Sequence, residues 1–281
     1  MNISDHSSKL RNYMNFRKYS QNSTENYCCC FEKFLKFFEL KGLTHPDKIN
    51  QQMIIDYLSQ FKEPATHSGY HSAIKLYYEK IAKVGIEKFK YIERPKRNRK
   101  LPIVLSVEEI QRMFDICENK KHKVILALLY SCSLRVSELI NLKWKDIDRS
   151  RMIINIIQAK GAKDRQVGLN QPLIDLLEEY YKQYKSVIYV LNGQNGVPQY
   201  SETSVNLVIK HLAEKAGINN KRVYTHLIRH TSATHMLENG TDINLIQKLL
   251  GHSNVKTTNI YTHISHNLIS KISSPINQIR L

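Results

Sequence analysis

The sequence predicts a mainly α protein with a small antiparallel β-sheet, divided into an all-helical amino-terminal domain and a mixed α/β second domain. Before Tyr91, apolar residues recur only at helical spacing and no alternating run intrudes. From Tyr91 to Val104, YIERPKRNRKLPIV combines prolines with Arg94, Lys96, Arg97, Arg99 and Lys100, and both proline and like-charge repulsion resist compaction. Beyond it, helical stretches flank two short β-branched runs joined by a glycine turn. The expected divisions are therefore a helical domain over 1–92, a basic linker over 93–104, a second domain over 105–265 and a tail over 266–281.

Within the first domain, Tyr27, Phe31, Phe34, Leu35 and Phe38 share one helical face between Asn22 and Gly42, and Gly42 supplies the stop. Asn50 suits the cap of a second helix that buries Met53, Ile54, Tyr57, Leu58 and Phe61. A third runs from Ser68 to Ile81 through Tyr70, Ile74 and Tyr77. The second domain opens on Ser106-Val-Glu-Glu109, a capping box with Leu105 and Ile110 as its hydrophobic staple. A helix from Lys123 to Tyr130 leads into a short amphipathic one that begins near Arg135. Glu138, three residues on, is within reach of that guanidinium; an exposed pair of this kind is worth little.

Met152 to Ile157 and Gln166 to Leu169 form the expected hairpin, with Gly161 in its turn and Lys160 at its tip. Pro172 suits the first turn of the next helix, through Leu173, Ile174, Leu176, Leu177 and Tyr180. A short strand over Val187 to Leu191 and a helix from Ser204 to Ala216, stopped by Gly217, follow. Three short helices then complete the domain. Thr225 caps the first, which carries His226 and Arg229; Thr241 caps the second, which Gly251 stops; Ser253 caps the third, with Tyr261 on it or just after it.

Length and charge narrow the function. The 281 residues suffice for two modest cores, and the formal net charge of +17 calls for a polyanionic partner, nucleic acid ahead of an acidic membrane surface. No apolar run is long enough to span a bilayer and the amino terminus has no signal-peptide core, so an intracellular, cytoplasmic protein is expected. The five cysteines, three of them contiguous at Cys28 to Cys30, fit reduced thiols better than a disulfide framework. The basic linker suits a DNA backbone, and on composition alone it suits a merely solvated hinge equally well.

The chemistry concentrates between Tyr224 and His263. His226 and Arg229 stand in His-x-x-Arg, His252 follows Leu250-Gly251, and Tyr261 is set in Thr-x-x-x-Tyr-Thr-His. Taken singly, each is more often structural. Together they are the residue types that a phosphodiester under attack by an oxygen nucleophile requires, because cationic donors must hold its non-bridging oxygens. A zinc site drawn from His226, His230, His235 and His252 is the weaker alternative, since there is no His-Glu-x-x-His and the cysteines lie in other segments without Cys-x-x-Cys spacing. No metal site is expected.

In this order, with Ser133-Leu-Arg-Val-Ser-Glu-Leu139 far upstream, these fragments resemble the tyrosine recombinase (phage-type integrase) family, in its compact Xer-like or mobile-element form. The helical first domain and the basic linker also look like that family's core-binding portion, which clamps DNA against the catalytic domain. By this resemblance Tyr261 attacks the scissile phosphate and forms a 3′-phosphotyrosine, releasing a 5′-hydroxyl. Arg135, Arg229 and His252 hold the non-bridging oxygens, Lys160 protonates the leaving oxygen, His226 assists proton transfer at the tyrosine and Glu138 buttresses the site. Bond energy stored in the phosphotyrosine removes any need for ATP, metal or another cofactor.

The resemblance further implies a site-specific recombinase for integration, excision or resolution of DNA. It would act on double-stranded DNA as a homo-oligomer, a tetramer in synapsis, with room for a second recombinase or accessory proteins and a tail that docks on a neighbouring protomer. Topoisomerase-like nicking and rejoining, or DNA binding with a silent site, are the competing functions. Two departures from the family pattern stand out. Ser133 replaces the usual glycine, so the turn presenting Arg135 is strained if it needs a positive φ, and Ile228 replaces a leucine at nearly constant volume.

Overall fold

The computed structural model describes residues 1–82, 92–95, 103–157, 164–193 and 199–251. The chain forms two compact units, Met1–Arg99 and Lys100–Leu281. Among the described residues it is mainly helical, with a three-stranded antiparallel sheet.

The first unit contains helices α1 (Ile3–Phe16), α2 (Gln21–Glu39), α3 (Gln51–Ser59) and α4 (Pro64–Tyr77), the last running into a π-helical turn over Tyr78–Ala82. Asn50 caps α3 by accepting from the Met53 N–H, as its position predicts. Helix α4 starts earlier than its apolar pattern, because Pro64 occupies the first turn, where a missing N–H has no consequence. The sequence pattern missed α1. Its buried side includes the polar His6 and Ser7 beside Leu10 and Met14, so the apolar periodicity is diluted. An aromatic core fills the unit: Phe31 stacks on Tyr77 at 4.2 Å and Phe34 meets Tyr57 edge-on at 5.2 Å. Buried Tyr78 donates its hydroxyl to the Pro46 carbonyl at 2.7 Å. Ile92 packs on this core, and Arg94, exposed at the surface, donates to Ser72 Oγ at 3.1 Å.

In the second unit, Ser106 and Glu109 form the expected reciprocal capping box at the start of α5 (Val107–Asp115). Helices α6 (Lys120–Ser131) and α7 (Val136–Asn141) follow. Strands β1 (Ile147–Asp148), β2 (Ile153–Ile156) and β3 (Arg165–Gly168) then make a meander in which Ile154 pairs with Ile147 and Val167, and Ile156 with Arg165. Strand β1 was illegible because two residues carry no alternation. The run over Val187–Leu191 makes only an isolated bridge, Lys143 to Tyr189, since its N–H groups at 190 and its carbonyl at 188 go to the chain after α7. Helices α8 (Gln171–Tyr184), α9 (Glu202–Lys215), α10 (Thr225–Glu238) and α11 (Ile243–Leu250) complete the unit. Thr225 is the first helical residue of α10 rather than its cap, and its hydroxyl donates to Asn206 Oδ1; Asp242, not Thr241, caps α11.

Buried α6, with Val124, Ile125, Leu126, Leu128 and Leu129, lies at the centre and packs against α8 and α10. The start of the unit is fastened to α10 as well. Leu105, fully buried, donates its N–H to Thr231 Oγ1 at 3.1 Å, and its carbonyl meets His235 Nε2 at 3.0 Å.

Candidate active site

Four segments meet around the carboxylate of Glu138. The turn between α6 and α7 carries Ser133 and Arg135. Ser133 takes φ +48, the left-handed region that its replacement of glycine made doubtful. It is held there on both sides: its Oγ lies 2.6 Å from Ser232 Oγ, and its carbonyl accepts from Arg229 Nη1 at 2.5 Å. Arg135 follows at the amino-terminal cap of α7, where its own N–H donates to Glu138 Oε2 at 2.8 Å and its Nη1 to Oε1 at 2.7 Å. Glu138 at the third helical position therefore fixes both the backbone and the guanidinium of Arg135.

From β3, Arg165 grips the same carboxylate with a two-pronged fork, Nη1 to Oε1 at 2.6 Å and Nη2 to Oε2 at 2.7 Å. From α10, Arg229 brings Nη1 to 3.8 Å of Oε2. The side chains of Arg165, Arg229 and Glu138 are 6%, 4% and 4% exposed, whereas Arg135 retains 17%. Burial alone would raise the Glu138 carboxyl, but the Arg165 fork and the Arg135 N–H and guanidinium outweigh it and hold it at about 2. Three guanidinium groups thus share one carboxylate. The excess positive charge suits an anion, and Arg135 is the most open of them to one.

Helix α11 supplies the opposite wall. Its last carbonyls have no partner within the helix and sit at the negative end of its dipole. Each receives a different arginine: Leu249 O accepts from Arg165 Nε at 2.6 Å, Leu250 O from Arg229 Nη2 at 2.5 Å, and Gly251 O from Arg135 Nη2 at 3.4 Å. Gly251 ends the helix at φ +61, and a Cβ there would stand 3.2 Å from Arg165 Cδ. Glycine meets both demands, taking the positive φ without strain and leaving room for the Arg165 side chain.

Of the residues singled out in the sequence, the structure brings together Arg135, Glu138 and Arg229. His226 is exposed one turn before Arg229 on α10, its ring 6.4 Å from that of His230. Burial, then His226 and Arg229, hold His230 below the ordinary imidazole range. Arg94 belongs to the first unit. Lys96, Arg97, Arg99, Lys100, Lys160, His252, Tyr261, the helix after Ser253 and the tail lie outside the described residues. The zinc alternative loses His235, whose two ring nitrogens are engaged by the Tyr130 hydroxyl at 2.8 Å and the Leu105 carbonyl. Among the described residues no group of three His, Cys, Asp or Glu side chains could hold a metal ion.

Sequence reasoning missed Arg165. Its signal was present: in the run Arg165-Gln-Val-Gly168, Arg165 shares the buried face of the strand with Val167. A charged residue on a buried strand face requires a partner.

The Phage integrase family matches residues 104–267, and the phage integrase N-terminal SAM-like domain matches residues 7–88. Tyrosine recombinase XerA of Pyrococcus horikoshii is 33% identical over 259 residues, spanning 83% of this chain and 88% of that protein. Tyrosine recombinase XerC of Bacillus pumilus is 30% identical over 277 residues, spanning 91% and 90%. Among solved structures, XerA recombinase aligns with a TM-score of 0.56 at 29% identity, covering 100% of this chain and 99% of that one. XerH site-specific recombinase bound to a palindromic difH substrate has the same fold, with a TM-score of 0.75 at 22% identity over 96% of this chain and 85% of that one. The arginine cluster around Glu138 therefore sits in a relative of the Xer recombinases along most of its length, and the chain belongs to the phage integrase family, the tyrosine-type site-specific DNA recombinases.

Proposed function

We propose that the chain cuts and rejoins double-stranded DNA with Tyr261 as nucleophile and Arg135, Arg229 and His252 as the cradle of the scissile phosphate. Attack forms the bond from Tyr261 Oη to phosphorus and breaks the bond from phosphorus to the 5′ oxygen, leaving a 3′-phosphotyrosine. The phenolic proton passes toward His226, and Lys160 protonates the departing 5′ oxygen. Rejoining is the reverse, with a 5′-hydroxyl from a partner strand as nucleophile, and needs neither nucleotide nor metal. The observation that carries the reading is the fixing of Arg135 and Arg229 by Glu138 and by the carbonyls at the end of α11. Guanidinium groups held before substrate arrives need no reorganisation in the transition state, which is where such donors act most strongly.

In the same reading, the helical domain (1–92) and the second domain (105–265) clamp the duplex, with the basic linker (93–104) along the backbone. Four protomers synapse two duplexes in the cytoplasm, with the tail (266–281) joining neighbours. XerH is known bound to difH DNA, and a fragment of lambda integrase as a dimer on a core site. A nicked suicide duplex bearing a genomic site selected by the protein tests the proposal. The natural protein should give a covalent adduct on a denaturing gel and Tyr261→Phe none, while both bind the duplex equally. Tight binding without adduct from either would refute it.

A further inference from the structure

Helix α10 carries both His226 and Arg229, yet Tyr224, the residue at its amino-terminal cap, makes no side-chain capping bond to its first N–H groups. Another helix supplies that bond. Asn206, half-buried on α9, accepts with its side-chain oxygen from the Thr225 hydroxyl at 3.0 Å and from the Thr225 N–H at 3.4 Å. Its amide nitrogen donates to the Glu202 carbonyl at 3.0 Å, which sets the oxygen end of the amide toward Thr225. Thr225 is 5% exposed, so water is a poor substitute for this partner.

The two side chains singled out on α10 depend on this cap unequally. Arg229 is anchored from elsewhere, by the carbonyls of Ser133 and Leu250, and Leu227 and Ile228 beside it are buried in the core. His226 is exposed on the first turn, directly after Thr225. Loss of the cap therefore loosens the turn that carries the imidazole and leaves the guanidinium in place.

We propose that Asn206 is a positioning residue for His226, capping α10 from α9 and so holding the imidazole in register with the anchored Arg229. The inference rests on the site reading given above, in which His226 takes the phenolic proton. Alanine at 206 removes the acceptor without touching His226. Aspartate keeps it, and its charge suits the positive end of a helix.

The experiment compares natural protein, Asn206→Ala, Asn206→Asp, His226→Ala and the double variant Asn206→Ala with His226→Ala. Amide hydrogen exchange without DNA reads the cap itself. In Asn206→Ala, residues 225–228 should exchange about tenfold faster, the effect of losing a helix cap, and Asn206→Asp should restore them. Natural exchange over the rest of α10 certifies that each variant is folded. The rate of adduct formation on a saturating nicked suicide duplex reads the consequence. His226→Ala should slow it about 100-fold, the scale of a lost proton acceptor, and Asn206→Ala about tenfold, the scale of one displaced. Asn206→Asp should recover most of that deficit. In the His226→Ala background, Asn206→Ala should cost nothing further, because a residue that acts through another has no effect once the other is gone.

A natural protein that forms no adduct, or a His226→Ala variant that forms it at the natural rate, overturns the site reading and the inference with it. Where both behave as expected, the inference alone is overturned by any of four results. These are unchanged exchange at residues 225–228 in Asn206→Ala, a natural adduct rate in that variant, an equal loss in Asn206→Asp, or the same further loss in the His226→Ala background.

Discussion

At the scale of single residues, the site is organised by a carboxylate and not by its arginines. Glu138 accepts from Arg135 and Arg165 and lies near Arg229, so its charge holds together groups that would otherwise repel one another. Its carboxyl, ordinarily near 4.5, is held at about 2 in the folded protein. The sign of the linkage follows: a carboxyl with a depressed pKa stabilises the fold fully above its ordinary value and loses that contribution as pH falls toward the folded one. Glu138→Gln should therefore lower the unfolding free energy at pH 7 by about 3–5 kcal/mol, as breaking a buried ion pair does. Denaturant titrations should show the gap between variant and natural protein constant above pH 4.5 and closing toward pH 2. A gap independent of pH would mean that the lost packing of the side chain, and not its charge, sets the difference. Ser133 shows the complementary strategy, an L-residue kept at positive φ because hydrogen bonds to Ser232 and Arg229 hold both its side chain and its carbonyl.

At the scale of elements, the end of α11 does what side chains do elsewhere, because its three carbonyls each fix an arginine from a different segment. Gly251→Ala tests this arrangement. A non-glycine residue at φ +61 costs about 1–2 kcal/mol, a fall of a few degrees in Tm by calorimetry for a domain of this size, and its methyl must displace Arg165. Adduct formation should fall further than the lost stability explains. Most elements were legible in the sequence where local chemistry decides them: the capping box at Ser106, the Asn50 cap, the hairpin strands and the Gly217 and Gly251 stops. Helix α1 was not, because His6 and Ser7 occupy its buried face, nor was β1, too short to alternate. In the site, Arg135, Glu138 and Arg229 were legible by side-chain type and order. The carbonyls of residues 249–251 were not, because a backbone acceptor leaves no mark on residue identity, and Arg165 fell just outside the strand expected over Gln166 to Leu169.

At the scale of the whole molecule, a formal charge of +17 makes binding to DNA strongly dependent on salt. Replacing Arg94, Lys96, Arg97, Arg99 and Lys100 by Gln should flatten the slope of log affinity against log salt by about 0.9 for each side chain that had touched a phosphate. Fluorescence anisotropy over a salt series reads this directly, and an unchanged slope would reduce the linker to a solvated hinge. The carbonyls at the end of α11 bear on the molecule in another way, through the order in which a ribosome delivers it. Arg135, Glu138 and Arg165 emerge long before residues 249–251, and Gly251 reaches Arg135 across 116 residues of chain. Domains fold as units, and all these residues belong to one unit, so its arginine cluster closes only after Leu249 to Gly251 have been made.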